Sequence, residues 1–372
     1  MTVLAYLDYA GLGRLRPAAA AAMRAGLDEV LPDGSAEIGR LFGARAAARA
    51  LLAGLLSCAP EEIALVPNTS TGIHLVADGL DWRPGDEVVV FDRDFPANVR
   101  PWQRLSRHGV TLSWVPMRAG GYDLGDVAAA IGPATRLVAV SQVNFATGFR
   151  CDLDAICELA AQAGALVCVD AVQGLGVLPL SVADTGVDFI AAGAHKWLCG
   201  PPGTGVFYCR LGRLDLLRSV PAGWFGFDGA AELMKGQGQL RYDLPERKAA
   251  ARVEGGMYDV LGMAGLAAAL DELTAIGRPA VTERVLRLAD RLRAGLTELG
   301  YSLANAGGQD ARSGIVAIEC AEPGLAERVG RGLAAAGVVV SSPDGLIRLS
   351  PHYWTADEEV ELAISELAIL RP

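Results

Sequence analysis

A chain of 372 residues, 51% hydrophobic and 20% charged, is long enough to bury a large core in two lobes and too apolar for a disordered or fibrous protein. Its net charge of −10 disfavours a nucleic-acid or anionic-membrane surface, while leaving room for a local basic pocket. Seven cysteines with no C-x-x-C pair and no zinc spacing argue against a zinc module and read as reduced thiols of a cytoplasmic protein. No apolar run approaches the roughly 20 residues of a membrane helix, and no targeting segment is expected.

Pro17 opens a helix over 17–31, and Ser35 is expected to cap a second, alanine-rich helix reaching residue 57. From 61 to 210, the β-rich runs E-I-A-L-V, E-V-V-V-F, L-S-W-V, R-L-V-A-V, A-L-V-C-V, D-F-I-A-A and G-V-F-Y-C alternate with helical segments such as 70–80, 97–107 and 153–163. That alternation predicts an α/β fold with a mostly parallel sheet covered by helices. Residues 221–252 read as irregular. A long helical tract follows from 257 to about 299, and then strands near 314–320, 337–341 and 346–349 alternate with helices at 323–336 and 356–369, a smaller α/β lobe.

Three local patterns carry chemistry. Lys196, in A-G-A-H-K-W-L-C-G-P-P-G-T-G, follows an apolar strand and precedes a Gly/Pro turn. An amine desolvated there has a lowered pKa, as an imine-forming lysine requires. Asp170 ends the buried strand A-L-V-C-V-D, at the edge where open α/β sheets bind ligands, although a carboxylate after a strand also serves as a helix cap. The cluster N-T-S-T places Thr69 and Ser70 at a strand-to-helix junction, where free N–H groups and the helix dipole attract an anion; an ordinary N-cap is the alternative.

These patterns occur in one frame. From Y-L-D-Y-A-G-L-G through H-K-W-x-x-G-P-x-G-x-G to I-R-L-S-P-H-Y-W-T, the chain resembles the class V aminotransferase family. This group of fold-type I, pyridoxal-phosphate enzymes includes cysteine desulfurases, cystine lyases, kynureninases and isopenicillin-N epimerase-like proteins. The resemblance implies a seven-stranded large lobe over 15–256, a small lobe from 1–14 and 257–372, and a homodimer acting on a small-molecule amino-acid substrate, with no nucleic-acid or membrane partner and no metal. It implies pyridoxal 5'-phosphate bound through Lys196, with Asp170 on the pyridinium nitrogen and Thr69 and Ser70 on the phosphate. Phe95, in F-P-A-N, is expected over the ring; Asn144 and Thr147, in S-Q-V-N-F-A-T-G, facing the cofactor; Gln173 on its phenolic oxygen; and His195 on its phosphate. Trp224 is a further phosphate contact, and Arg348 is assigned to the substrate carboxylate.

Two departures bear on the reaction. The segment V-V-V-S-S-P-D-G-L-I-R is short and lacks the cysteine that desulfurases carry before the corresponding arginine. Met257 stands where similar proteins have a threonine that reaches the phosphate of a neighbouring subunit. The missing cysteine, G-L-D-W-x-x-G-D-E and the lysine run favour β-elimination on cystine, cysteine or a cysteine conjugate. Transamination and epimerisation share the same first proton abstraction, and a non-catalytic relative is a further alternative. A nicotinamide dehydrogenase is rejected, since no G-x-G-x-x-G follows an early strand.

Overall fold

The computed structural model describes residues 2–32, 38–218, 220, 223–229, 241–305 and 307–371. Ser35, the expected cap of the second helix, lies outside the described residues, as do 230–240 of the irregular stretch. Strand β1 (Ala5–Tyr6) belongs to the small lobe. The large lobe follows as β2 (Ile63–Val66), β3 (Glu87–Phe91), β4 (Thr111–Val115), β5 (Thr135–Ser141), β6 (Leu166–Asp170), β7 (Phe189–Gly193) and β8 (Gly205–Cys209). They form one seven-stranded sheet in the order β2-β8-β7-β6-β5-β3-β4, in which only β8 runs against its neighbours.

The central strands show no polar alternation because both faces are covered. Val89, Phe91, Val138, Val140, Val167, Val169 and Ile190 join one apolar cluster. Their neighbours Val88, Val90, Leu137, Ala139, Cys168, Phe189 and Ala191 join another, as the two-residue period of a strand requires. The parallel strands deliver their C-terminal ends to one edge, where the polar residues of the sheet collect.

Local breakers account for the differences from expectation. The first helix runs Pro17–Ala25 and then widens into a π-turn over Gly26–Val30. The expected helix over 97–107 is three short pieces, Pro96–Asn98, Arg100–Gln103 and Arg104–His108. Pro101, inside the expected span, lacks the N–H that a continuous helix needs there.

The small lobe contains β9 (Val316–Ile318), β10 (Val338–Val339) and β11 (Ile347–Leu349), with β9 antiparallel to β11 and β1 parallel to β10. The helices after residue 257 pack against both groups of strands. Met263, Leu266, Leu270 and Leu273 of helix Val260–Ile276 bury into the large-lobe cluster, as do Val281 and Val285 of the next helix, Arg278–Glu298. Leu288, Leu292 and Leu296 of that same helix enter the small-lobe core. A 21-residue helix is about 30 Å long, enough to serve two cores, and its periodicity alone does not say which sheet it covers. Among the described residues no single helix is long and apolar enough to cross a membrane.

Candidate active site

Lys196 lies in the turn after β7. That turn is closed by Ala194 N–H donating to Thr204 O (2.8 Å), Cys199 N–H to Lys196 O (3.0 Å) and Gly200 N–H to Ala194 O (2.9 Å). The N-terminal segment braces it from outside, Gly13 N–H donating to His195 O at 2.7 Å. A Cβ on Gly13 would sit 2.0 Å from Lys196 O, so only glycine permits this approach. Burial drives the Lys196 amine down to about 8, with Arg348 adding to the effect and Asp170 and Asp8 opposing it. Asp170, 2% exposed, closes β6 and accepts from Val172 N–H at 3.0 Å. Burial pushes its carboxyl up, Val172 N–H holds it down, the nearby Asp94 raises it and Lys196 lowers it.

Helix Thr69–Gly79 sits on β7 through Gly72, where an added Cβ would meet Ala191 Cβ at 2.7 Å. Its N-terminus therefore reaches the sheet edge that carries the lysine. Asn68 is the N-cap, its side chain accepting from Thr71 N–H at 2.9 Å, so neither following hydroxyl is needed as a cap. Thr69 Oγ1 accepts from Gly193 N–H at 2.9 Å, which leaves its own hydrogen for an anion. The first-turn N–H groups of Thr69 and Ser70 have no partner within the helix and add to the same cradle.

Phe95 is 42% exposed and meets Phe145 edge to face at 5.1 Å, with Lys196 Nζ 5.6 Å from its ring centroid. Asp94, which sequence reasoning missed, fixes the turn that presents it. Its half-buried carboxylate accepts from Ser141 Oγ (2.7 Å), Asn98 Nδ2 (3.0 Å) and Phe95 N–H (2.7 Å). The signal was present as an acid four residues before Asn98, but its hydroxyl partner is 47 residues away.

Thr69, Ser70, Phe95, Asp170, His195, Lys196 and Arg348 line one cleft of about 410 Å3, together with Asn68, Phe145 and the N-terminal Ala10 and Gly11. Burial and the lysine's charge lower the pKa of His195, keeping the imidazole neutral. The remaining candidates are not in this cleft. Asn144 donates to Arg93 O and Tyr122 OH and accepts from Ala146 N–H and Thr147 N–H, so its amide is spent on its own turn and on the two segments packed against it. Thr147 Oγ1 joins that turn, donating to Asn144 Oδ1 at 3.3 Å and accepting from Phe149 N–H at 3.2 Å. Gln173 accepts from Trp197 Nε1 at 2.9 Å and donates to Ala10 O at 3.0 Å, bracing the lysine turn. Trp224, 37% exposed, stacks on Phe225 away from the cleft. A roomier cleft of about 760 Å3, around Tyr122, Phe149 and Arg150, holds no lysine, so volume alone does not locate the chemistry.

Residues 24–359 match the family model described as aminotransferase class-V. The chain is 33% identical to an uncharacterized aminotransferase, YcbU, of Bacillus subtilis, over 86% of this chain and 82% of that one. It is 30% identical to a probable cysteine desulfurase of Methanothermobacter thermautotrophicus, covering 85% and 80%. Among solved structures, a mutant of C-DES with glycine covalently linked to its PLP cofactor superposes with a TM-score of 0.89 at 25% identity, covering 98% of this chain and 96% of that one. The cystine C-S lyase C-DES in complex with cysteine persulfide superposes at 0.87 with 27% identity, covering 98% and 97%.

Proposed function

The chain belongs to the aminotransferase class-V family, and from that premise we propose that it cleaves the Cβ–S bond of cystine, cysteine or a cysteine conjugate by β-elimination. It is a pyridoxal-phosphate enzyme acting on amino acids. The residues lining the cleft fit that cofactor by their donor chemistry: a desolvated amine, a buried carboxylate, a helix N-terminus with spare hydroxyls and an uncovered aromatic face. When bound, the cofactor supplies an electron sink that stabilises negative charge at the substrate's α-carbon.

The protein's part is to hold and move protons. Lys196 would hold the cofactor and, as a free amine, would take the α-proton; an amine with a pKa of about 8 is neutral in a useful fraction near neutrality and still regains a proton readily. Asp170 would keep a proton on the ring nitrogen: Lys196 already lowers its raised pKa, and a second cation would lower it further. Thr69, Ser70 and the helix N-terminus hold the phosphate, with neutral His195 beside them. Phe95 covers the ring, and Arg348 takes the substrate carboxylate.

The observation that carries elimination over an enzyme persulfide is the absence of a thiol. None of the seven cysteines lines the cleft, and the turn before Arg348, Pro343–Gly345, is too short to bring one in. The reading includes a homodimer, which sedimentation of the loaded protein checks. Its central test is to give purified holoenzyme cystine, cysteine and S-methylcysteine and to assay pyruvate, ammonia and sulfide. Pyruvate from a sulfur amino acid is expected. A keto acid retaining every substrate carbon, or no pyruvate from any of the three, rejects the lyase.

A further inference from the structure

We propose that Asp8 is a positioning residue that orients Arg348, so that the two guanidinium N–H groups left over are presented to the cleft as a matched pair for a carboxylate. The N-terminal segment threads into the small-lobe sheet: β1 pairs with β10, Leu7 N–H donates to Val339 O at 2.9 Å, and Asp8 bridges to Ser350 just beyond β11. Arg348 lies on β11 and Ser341 bridges to it, so the three side chains meet where isolated bridges join the β1-β10 pair to the β11-β9 pair.

Their bonds form a closed set. Ser341 Oγ donates to Asp8 Oδ1 at 2.7 Å, Arg348 Nε donates to Ser341 Oγ at 3.0 Å, and Arg348 Nη2 donates to the same Asp8 oxygen at 3.2 Å. From the large lobe, Phe145 O accepts from Nη1 at 2.7 Å. A guanidinium has five N–H donors. These contacts use the Nε hydrogen and one on each terminal nitrogen, leaving one N–H on Nη1 and one on Nη2. Nη1 and Nη2 are the two nitrogens through which a guanidinium grips both oxygens of a carboxylate end-on. Arg348 is 5% exposed, and the negative charge of Asp8 also keeps a buried cation charged against desolvation. The same segment continues to Gly13, whose N–H meets His195 O beside the lysine, so the clamp and Lys196 are referenced to one piece of backbone.

The inference rests on Arg348 as the carboxylate site, and the experiment separates the two. Protein loaded with pyridoxal phosphate is mixed by stopped flow with S-methylcysteine or with its decarboxylated counterpart, 2-(methylthio)ethylamine, and the amplitude of the fast absorbance change, complete before turnover, is followed against concentration; the readout is the ratio of the two apparent Kd values. Asp8→Ala is expected to weaken S-methylcysteine by about tenfold, the scale of one charge-assisted hydrogen bond, while the amine changes by less than about twofold. Asp8→Asn keeps the shape and an acceptor, so a smaller loss of the same preference is expected, and it guards against a folding defect in the alanine variant. Arg348→Gln is the reference. Loss of the preference in Arg348→Gln but not in Asp8→Ala overturns the role of Asp8 alone, as does equal weakening of both ligands or tighter binding of S-methylcysteine in Asp8→Ala. Retention of the preference in Arg348→Gln overturns the carboxylate site and the inference with it.

Discussion

Replacing Lys196 by methionine should make the apoprotein more stable while abolishing covalent attachment of the cofactor. The lysine's amine falls from its ordinary 10.5 to about 8, chiefly through burial. At about 1.4 kcal/mol per pKa unit, keeping it charged in the folded state costs at most about 3 to 4 kcal/mol. Because the folded pKa lies below the unfolded one, the wild type has its full stability only above the unfolded value near 10.5 and loses it as pH falls through 8. Asp170, deprived of its cation by the substitution, takes up a proton rather than remaining an unpaired buried anion, because burial has already raised its carboxyl. The expected gain at pH 7 is therefore about 1 to 3 kcal/mol, fading as pH rises from 8 to 10.5. Denaturant unfolding of both apoproteins, followed by tryptophan fluorescence at pH 7 and pH 10.5, measures it. Borohydride reduction of the loaded proteins checks the covalent link. A variant no more stable than wild type at pH 7, or a gain that persists at pH 10.5, refutes the electrostatic argument, since a packing effect would not follow this titration.

Two other substitutions test how the cleft is built. Phe95→Ala should leave apoprotein stability within about 0.5 kcal/mol, because the ring is 42% exposed. It should nevertheless weaken cofactor affinity by roughly three- to tenfold, the value of a lost stacking face near 1 kcal/mol, as equilibrium dialysis would read; unchanged affinity removes Phe95 from the cofactor's surroundings. Gly13→Ala should destabilise by about 1 to 3 kcal/mol, since its Cβ would lie 2.0 Å from Lys196 O and the backbone must shift. A thermal midpoint equal to wild type would contradict the close approach.

The candidate residues that line the cleft share a position that can be read locally. Asp170 ends β6, Lys196 follows β7, and Thr69 and Ser70 open the helix after β2. Those that do not line it, Asn144, Thr147 and Gln173, were equally plausible by motif. Their side chains are occupied by backbone and tryptophan partners that the linear order does not reveal. The helix Arg278–Glu298 presents the same difficulty on a larger scale, because one apolar stripe feeds two cores.

By itself the sequence determined the alternation of buried strands and helices, and with it the sheet edge where Lys196 and Asp170 emerge. These follow from side-chain periodicity and turn chemistry, which act over a few residues. Only the tertiary structure decided that Asp8, 340 residues from Arg348, shares its guanidinium, and that Gln173 braces the lysine turn. Hydrogen-bonding capacity is finite, and which partner takes it depends on which distant segments the sheet brings within about 3 Å.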